Sequence, residues 1–106
     1  MIVYIAAPFT KGDVGHNVNT AIQCAEALVN YGFTPYIPHL NILWHIAAPH
    51  TPDFWYHYDL EFLVMCDCLL RLKGESQGAD NEVAFANQNG VKVYYSIGDL
   101  INVYGV

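Results

Sequence analysis

Positive charge is scarce in this chain. Lys11, Arg71, Lys73 and Lys92 are its fixed cations, against ten carboxylates, and the formal net charge is −6. A protein that grips a nucleic-acid duplex displaces phosphate counterions with a basic face, and four scattered cations cannot build one. Long nucleic acid and anionic membrane are therefore poor partners. A single small phosphorylated molecule stays open, because backbone amides at a helix start can hold one phosphate. Cysteine is sparse too: Cys24, Cys66 and Cys68. Their number is odd and Cys66-x-Cys68 is neither a redox nor a zinc spacing. Three reduced packing residues of a cytosolic protein are expected. No run of eighteen apolar residues exists, so no transmembrane span is expected. Neither a basic n-region nor a cleavage site precedes the first strand-like run, so no secretory signal is expected and the expected location is the cytoplasm. The glycines near Lys11 form neither a Walker loop nor a dinucleotide fingerprint, so no NAD or ATP cofactor is expected. His16, His39, His45, His50 and His57 show none of the tight spacings of metal motifs, so no metal is expected either.

What the chain has in abundance is apolar surface, 54% of 106 residues. That is enough for one ordinary domain, residues 1–106, to build a core without disulfides or metals. Ile2 to Ala6 reads as a buried strand running into a loop at Ala7-Pro8. Asn17 or Asn19 is placed to cap a helix from about Val18 to Tyr31, which Gly32 ends. Phe33–Ile37 reads as a second strand. His39 to Pro52 is the least readable stretch, with room for a short helical turn. Asp53 is expected to cap a helix from Phe54 to about Met65. Cys68–Leu72 is a third strand, Asp80–Asn89 a helix, Val91–Tyr95 a fourth strand and Ser96–Val103 a short last helix. Strands alternating with helices predict an α/β fold of the flavodoxin or Rossmann-like type. It is a three-layer sandwich around a parallel sheet of four or five strands. In such sheets ligands bind beyond the carboxyl ends of the strands. The loops to watch are therefore 7–16, 38–52 and 73–79.

Three side chains stand out. With a helix beginning at Asp80, Glu82 falls in its first turn, where free amides and the helix dipole favour an ionised carboxylate. Such a group can attack an anomeric carbon; it can also do no more than satisfy the dipole. Asp59 lies on a largely apolar helix and either faces solvent or faces a ligand opposite Glu82. Two carboxyls flanking a glycosidic centre divide into nucleophile and proton-handling partner. Tyr4 is mid-strand, and its hydroxyl needs a partner if buried; plain core packing is the alternative. Asp67, at a helix-to-strand junction, reads as a turn residue bonding its own backbone.

Four blocks, taken in order, resemble the nucleoside 2-deoxyribosyltransferase superfamily. They are Val3-Tyr4-Ile5-Ala6-Ala7-Pro8; Gly32-Phe33-Thr34-Pro35-Tyr36-Ile37-Pro38-His39; Tyr58-Asp59-Leu60 with Cys66-Asp67-Cys68-Leu69-Leu70; and Gly78-Ala79-Asp80-Asn81-Glu82-Val83. The layout is similar to that of short bacterial and phage members and of deoxynucleoside-monophosphate N-glycosidases. The resemblance implies cleavage of the bond between base and 2-deoxyribose. It makes Glu82 the nucleophile, Tyr4 the residue that orients it, and Asp59, implied at the start of the middle helix, the contact to the leaving base. It implies substrate contacts from Ala7, Pro8, Phe9, Lys11, His39, Ser76, Gly78 and Asn81, with a nucleoside or nucleotide as small-molecule partner. The chain departs from the family in offering Ser76 where transferases carry another aspartate, and Asn102 only loosely matches their C-terminal asparagine. Hydrolysis therefore competes with base transfer. A nucleotide-binding module without catalysis, or a structural subunit using Trp44 and Trp55, is the rival class. Fifteen aromatic residues exceed what one stripe on the middle helix requires, Phe54, Trp55, Tyr56, Tyr58 and Phe62 among them. A homo-oligomer, dimer or higher, is expected unless residues 39–52 cover those rings within the chain.

Overall fold

The computed structural model describes residues 1–105. Four strands, β1 (Ile2–Ala6), β2 (Thr34–Tyr36), β3 (Cys68–Arg71) and β4 (Lys92–Tyr94), form one parallel sheet in the order β2-β1-β3-β4. Five helices connect and cover it: α1 (Val14–Asn30), α2 (Asn41–Ala47), α3 (Pro52–Leu63), α4 (Gln77–Gln88) and α5 (Ile97–Tyr104). A 3₁₀ turn at Pro38–Leu40 leads into α2. This is the α/β sandwich expected from the alternation of strand and helix, with four strands in its sheet. No helix among the described residues is long and apolar enough to cross a membrane.

Successive strand side chains face opposite sides of a sheet, and the core divides accordingly. Val3, Ile5, Cys68 and Leu70 pack with Ala21, Ala25 and Leu28 of α1 and Leu100 of α5. Tyr4, Ala6 and Leu69 pack on the other side with Leu63 of α3 and Ala79 and Ala86 of α4. Tyr4 thus has no exposed surface yet carries a hydroxyl, and that hydroxyl faces the α3–α4 layer.

Several element boundaries differ from expectation, each for a local reason. Helix α1 starts at Val14 because Asp13 caps it, its Oδ1 accepting from the Gly15 amide at 3.0 Å. Asn17 instead donates to the carbonyls of Phe9 (2.9 Å) and Lys11 (2.8 Å) and pins the preceding loop. Thr51, not Asp53, caps α3, with Pro52 in the first turn, where a missing N–H costs nothing. Ser76, not Asp80, caps α4, its hydroxyl accepting from the Ala79 amide at 3.1 Å. Strands β2, β3 and β4 are each shorter than their apolar runs. Asp67 is no local turn residue: its carboxylate accepts from the Ile2 amide at 2.7 Å and ties the start of β1 to the approach to β3.

Candidate active site

Strand order reverses around β1. The chain leaves β1 for β2 on one side, then crosses to β3 on the other. The gap between the carboxyl ends of β1 and β3 is the switch point where such sheets bind ligands. A cavity of about 710 Å³ opens there, within the range of small-molecule sites. Its walls come from the loop after β1 (Ala7, Phe9, Lys11), the turn into α2 (His39, Asn41), α3 (Trp55, Asp59) and the start of α4 (Ser76, Gly78, Glu82).

Both carboxyls of interest meet in this cavity. The Tyr4 hydroxyl, rising from the middle of β1, donates to Glu82 Oε2, so the strand's buried tyrosine and the helix's glutamate are joined through the second layer. No other hydrogen bond to Glu82 is formed among the described residues, which leaves Oε1 without a partner there. Asp59 is buried, and its Oδ1 accepts from both Tyr36 Oη (3.1 Å) and Asn41 Nδ2 (2.8 Å). Its Oδ2 is likewise without a partner among the described residues. Tyr36 pairs in register with Tyr4 on the neighbouring strand, and the two rings stack at 5.4 Å. Each carboxyl therefore has one oxygen held by a tyrosine and one oxygen available.

Burial governs the charge state of both. It pushes Glu82 up from the usual carboxylate value to about 7, with Asp59 adding repulsion, against the Tyr4 hydrogen bond and the charge of Arg71. It pushes Asp59 up to about 6, against the bonds from Asn41 and Tyr36. Burial also raises Tyr4 well above the ordinary phenol range, so Tyr4 remains a donor. This overturns the first-turn expectation for Glu82. Because α4 begins at Gln77, Glu82 lies in the second turn, beyond the free amides, and its surroundings favour the protonated form. Asp59 likewise lies in the second half of α3, not at its start.

The other expected contacts fall into place unevenly. Ala7, Phe9, Lys11, His39, Ser76 and Gly78 line the cavity. Pro8 does not; its carbonyl accepts from His39 Nε2 at 3.0 Å, and its ring lies against Gly74. Gly74 has a φ of +120°, and a Cβ there would come within 2.6 Å of Pro8 Cγ, so the β3–α4 loop crosses the β1 loop at a glycine. Asn81 is also outside the cavity: its side chain accepts from Gln77 Nε2 at 2.8 Å on the exposed surface of α4. His39 is buried, which lowers its proton affinity and keeps it neutral. Since Nε2 donates to Pro8, its proton resides on that nitrogen. Lys11 pairs with Glu75 at 3.4 Å, linking the two loops beside the cavity.

Residues that sequence reasoning passed over complete the site. Tyr36 and Asn41 hold Asp59, and Arg71 sits buried at the end of β3. Tyr36 could have been found from its register, since a tyrosine beside Tyr4 on a parallel strand faces the same layer. Trp55 lines the cavity, and its indole N–H donates to His45 Nδ1 at 2.9 Å.

The family model for a domain of unknown function (DUF7768) matches residues 1–96. No curated protein matches the chain. Among solved structures, a 2-deoxyribosyltransferase from the psychrotolerant bacterium Bacillus psychrosaccharolyticus is similar in fold, with a TM-score of 0.66 at 19% identity. The match covers 88% of this chain and 69% of that one. The chain thus shares its fold with a 2-deoxyribosyltransferase, and the match over residues 1–96 makes it a member of the DUF7768 family.

Proposed function

We propose that the cavity cleaves the N-glycosidic bond of a 2′-deoxynucleoside or its 5′-monophosphate, by hydrolysis or by base transfer. The observation that carries this reading is the pair Glu82 and Asp59 in one cavity, each with one oxygen held by a tyrosine and the other free. Glu82 Oε1 attacks C1′ of the sugar as the C1′–N bond breaks, and the bonding electrons leave with the base. Asp59, protonated on Oδ2, gives its proton to the departing base. The product is a sugar ester of Glu82. Water, or the N–H of a second base, then attacks C1′. Its proton passes to Asp59, and the Glu82 carboxylate is released. Tyr4 orients Glu82 throughout. Ala7, Phe9, His39, Ser76 and Gly78 shape the pocket around sugar and base. The likeness to a 2-deoxyribosyltransferase fold supports the same reaction class.

The test is incubation with a panel of deoxynucleosides and deoxynucleoside monophosphates, with and without an acceptor base, followed by chromatography for free base. Release without acceptor indicates hydrolysis, and exchange only with acceptor indicates transfer. Saturable binding with no release from any substrate would leave the chain a nucleotide-binding module and refute the proposal.

Lys11 is the cationic side chain of the cavity wall, and Glu75 already engages it. A 5′-phosphate placed there must displace Glu75. Lys11→Ala is expected to weaken binding of a deoxynucleoside monophosphate by roughly tenfold, about 1.4 kcal/mol, with little change for the free nucleoside in the same titration calorimetry. Equal losses for both ligands would remove Lys11 from phosphate recognition.

A homo-oligomer also forms part of this proposal, with a changed basis. Residues 41–47 do fold over α3, since the Trp44 ring meets Trp55 at 4.9 Å and Tyr58 at 5.3 Å. The rings of α3 are therefore partly covered within the chain. What stays exposed is the outer face of α2, where Leu43 and Ile46 are each 71% exposed. An apolar face of this kind marks a partner surface. Light scattering at micromolar concentration is expected to give a multiple of 11.9 kDa; a clean monomer mass would refute it.

A further inference from the structure

Arg71 is the last residue of β3, paired in register with Ala6, and it is only 9% exposed. A buried guanidinium needs partners for its donors, and this one spans three pieces of chain. Its Nη1 donates to the carbonyl of Leu72, and its Nη2 donates to the Gly74 carbonyl at 2.9 Å and to Asp80 Oδ1 at 3.0 Å. Strand end, loop and helix are thereby joined by one planar group. The loop is gripped at Gly74, where it crosses Pro8 of the β1 loop. The helix is gripped at Asp80, two residues before Glu82. Arg71 itself does not line the cavity.

We propose that Arg71 is a positioning residue: it locks α4 to the carboxyl edge of the sheet and holds a buried fixed cation against Asp80, two residues before Glu82. This rests on the glycosidase reading only for the use to which the Glu82 carboxylate is put. Two devices follow from the one side chain. The clamp fixes the axial position of α4, and so the approach of Glu82 to Tyr4. The charge counters burial, which otherwise keeps Glu82 protonated. The groups acting on Glu82 from neighbouring elements are Tyr4 on β1, Asp59 on α3 and Arg71 on β3, and Tyr56 on α3 feels its charge; Asp80, on the helix of Glu82, bonds Arg71. Lys11, Glu75, His39, His45 and His50 line the rest of the cavity. Arg71 is the cation among the groups that act on Glu82, and its charge favours the carboxylate. Asp80 draws on the same guanidinium from its solvent side, with 64% of its side chain exposed.

The two devices separate by substitution. Protein labelled with ¹³C at glutamate carboxyls is titrated by NMR, and Glu82→Gln assigns the signal among the four glutamates. In Arg71→Met the Glu82 midpoint is expected to rise by on the order of one pH unit, as for loss of a nearby opposite charge. In Asp80→Asn it is expected to fall by a few tenths, because an anion is gone and the guanidinium is released toward Glu82. Arg71→Lys keeps the charge without the planar fork. It is expected to titrate like the wild type while the first-turn amides of α4 exchange hydrogen faster. Unchanged midpoints in both Arg71→Met and Asp80→Asn would overturn the charge role. Unchanged exchange in Arg71→Lys would overturn the clamp. Should Arg71→Met not fold, the opposite-signed Asp80→Asn shift and the lysine variant still decide. The titration needs no turnover. These shifts in a protein that releases no base would sink the glycosidase reading and leave the coupling standing.

Discussion

Glu82→Gln is expected to abolish base release while making the protein more stable at alkaline pH. The amide retains the shape and can still accept the Tyr4 hydrogen bond, but it cannot form the sugar ester. A loss of at least about a thousandfold in turnover follows, as for removal of a nucleophile in other covalent enzymes. The stability effect has a definite sign. Folding raises the Glu82 value from 4.5 to about 7, so the folded state binds the proton more tightly than the unfolded chain does. Stability then falls as pH rises through that window and levels off above it. At about 1.4 kcal/mol per unit, the buried charge costs on the order of 3 kcal/mol at pH 8. Glutamine removes that cost. Thermal or urea unfolding is expected to show the variant ahead of wild type at pH 8 and equal to it below about pH 4. Near wild-type base release would remove Glu82 from the chemistry. Equal stability at both pH values would mean that Glu82 is solvated in its charged form.

Asp59→Asn has the second largest expected effect, and its signature lies in the pH profile. With Glu82 raised to about 7 and Asp59 to about 6, the pair holds one proton mainly between those values. The proposed mechanism needs Glu82 ionised and Asp59 protonated, which is one arrangement of that single proton. The kcat/KM profile of the wild type is therefore expected to be bell-shaped, with its maximum between about pH 6 and 7. Asparagine still accepts from Tyr36 and Asn41 but holds no acidic proton. Base release is expected to drop by roughly 10²–10⁴-fold, the usual range for losing a general acid, and the alkaline limb disappears. The acid limb remains, because Glu82 must still lose its proton before it can attack. A deoxynucleoside of an N7-methylated purine, whose base departs without needing a proton, is expected to lose far less. An equal loss for that substrate would make Asp59 a binding residue only.

Much of this arrangement was legible in the sequence, for reasons that differ from residue to residue. The sheet was legible because its strands are short apolar runs ending at glycine, proline or a polar loop, and alternation with amphipathic helices leaves few topologies. The start of α4 was misplaced because Ser76 and Asp80 are both good caps and Gly78 looks like loop. The structure resolves the choice by burying Ala79 against the sheet, which requires the helix to begin earlier. That shift of three residues reverses the electrostatic argument for Glu82, although its place in the cavity is unchanged. Residues 38–52 were opaque because α2 buries none of its own residues, so it writes no apolar stripe. For the same reason Asn41 was missed, and with it half of what holds Asp59. Arg71 was hidden inside an apolar strand run, where a single cation leaves no periodic trace. Asp59 could not be placed from its own helix, whose apolar residues nearly encircle it; its partners Tyr36 and Asn41 lie 23 and 18 residues away along the chain.

The two outermost strands bear on how copies of the chain can meet. Each is three residues long. The central residue of β2 is Pro35, which has no N–H to offer, and β4 opens on the exposed Lys92. An edge this short, interrupted by a proline or guarded by a charge, is a poor template for another strand. Sheet-to-sheet continuation between subunits is thereby blocked at both margins, which protects a protein with this much apolar surface from fibrous growth. Any association of copies would fall to the helical flanks, where contacts are finite and can close on themselves.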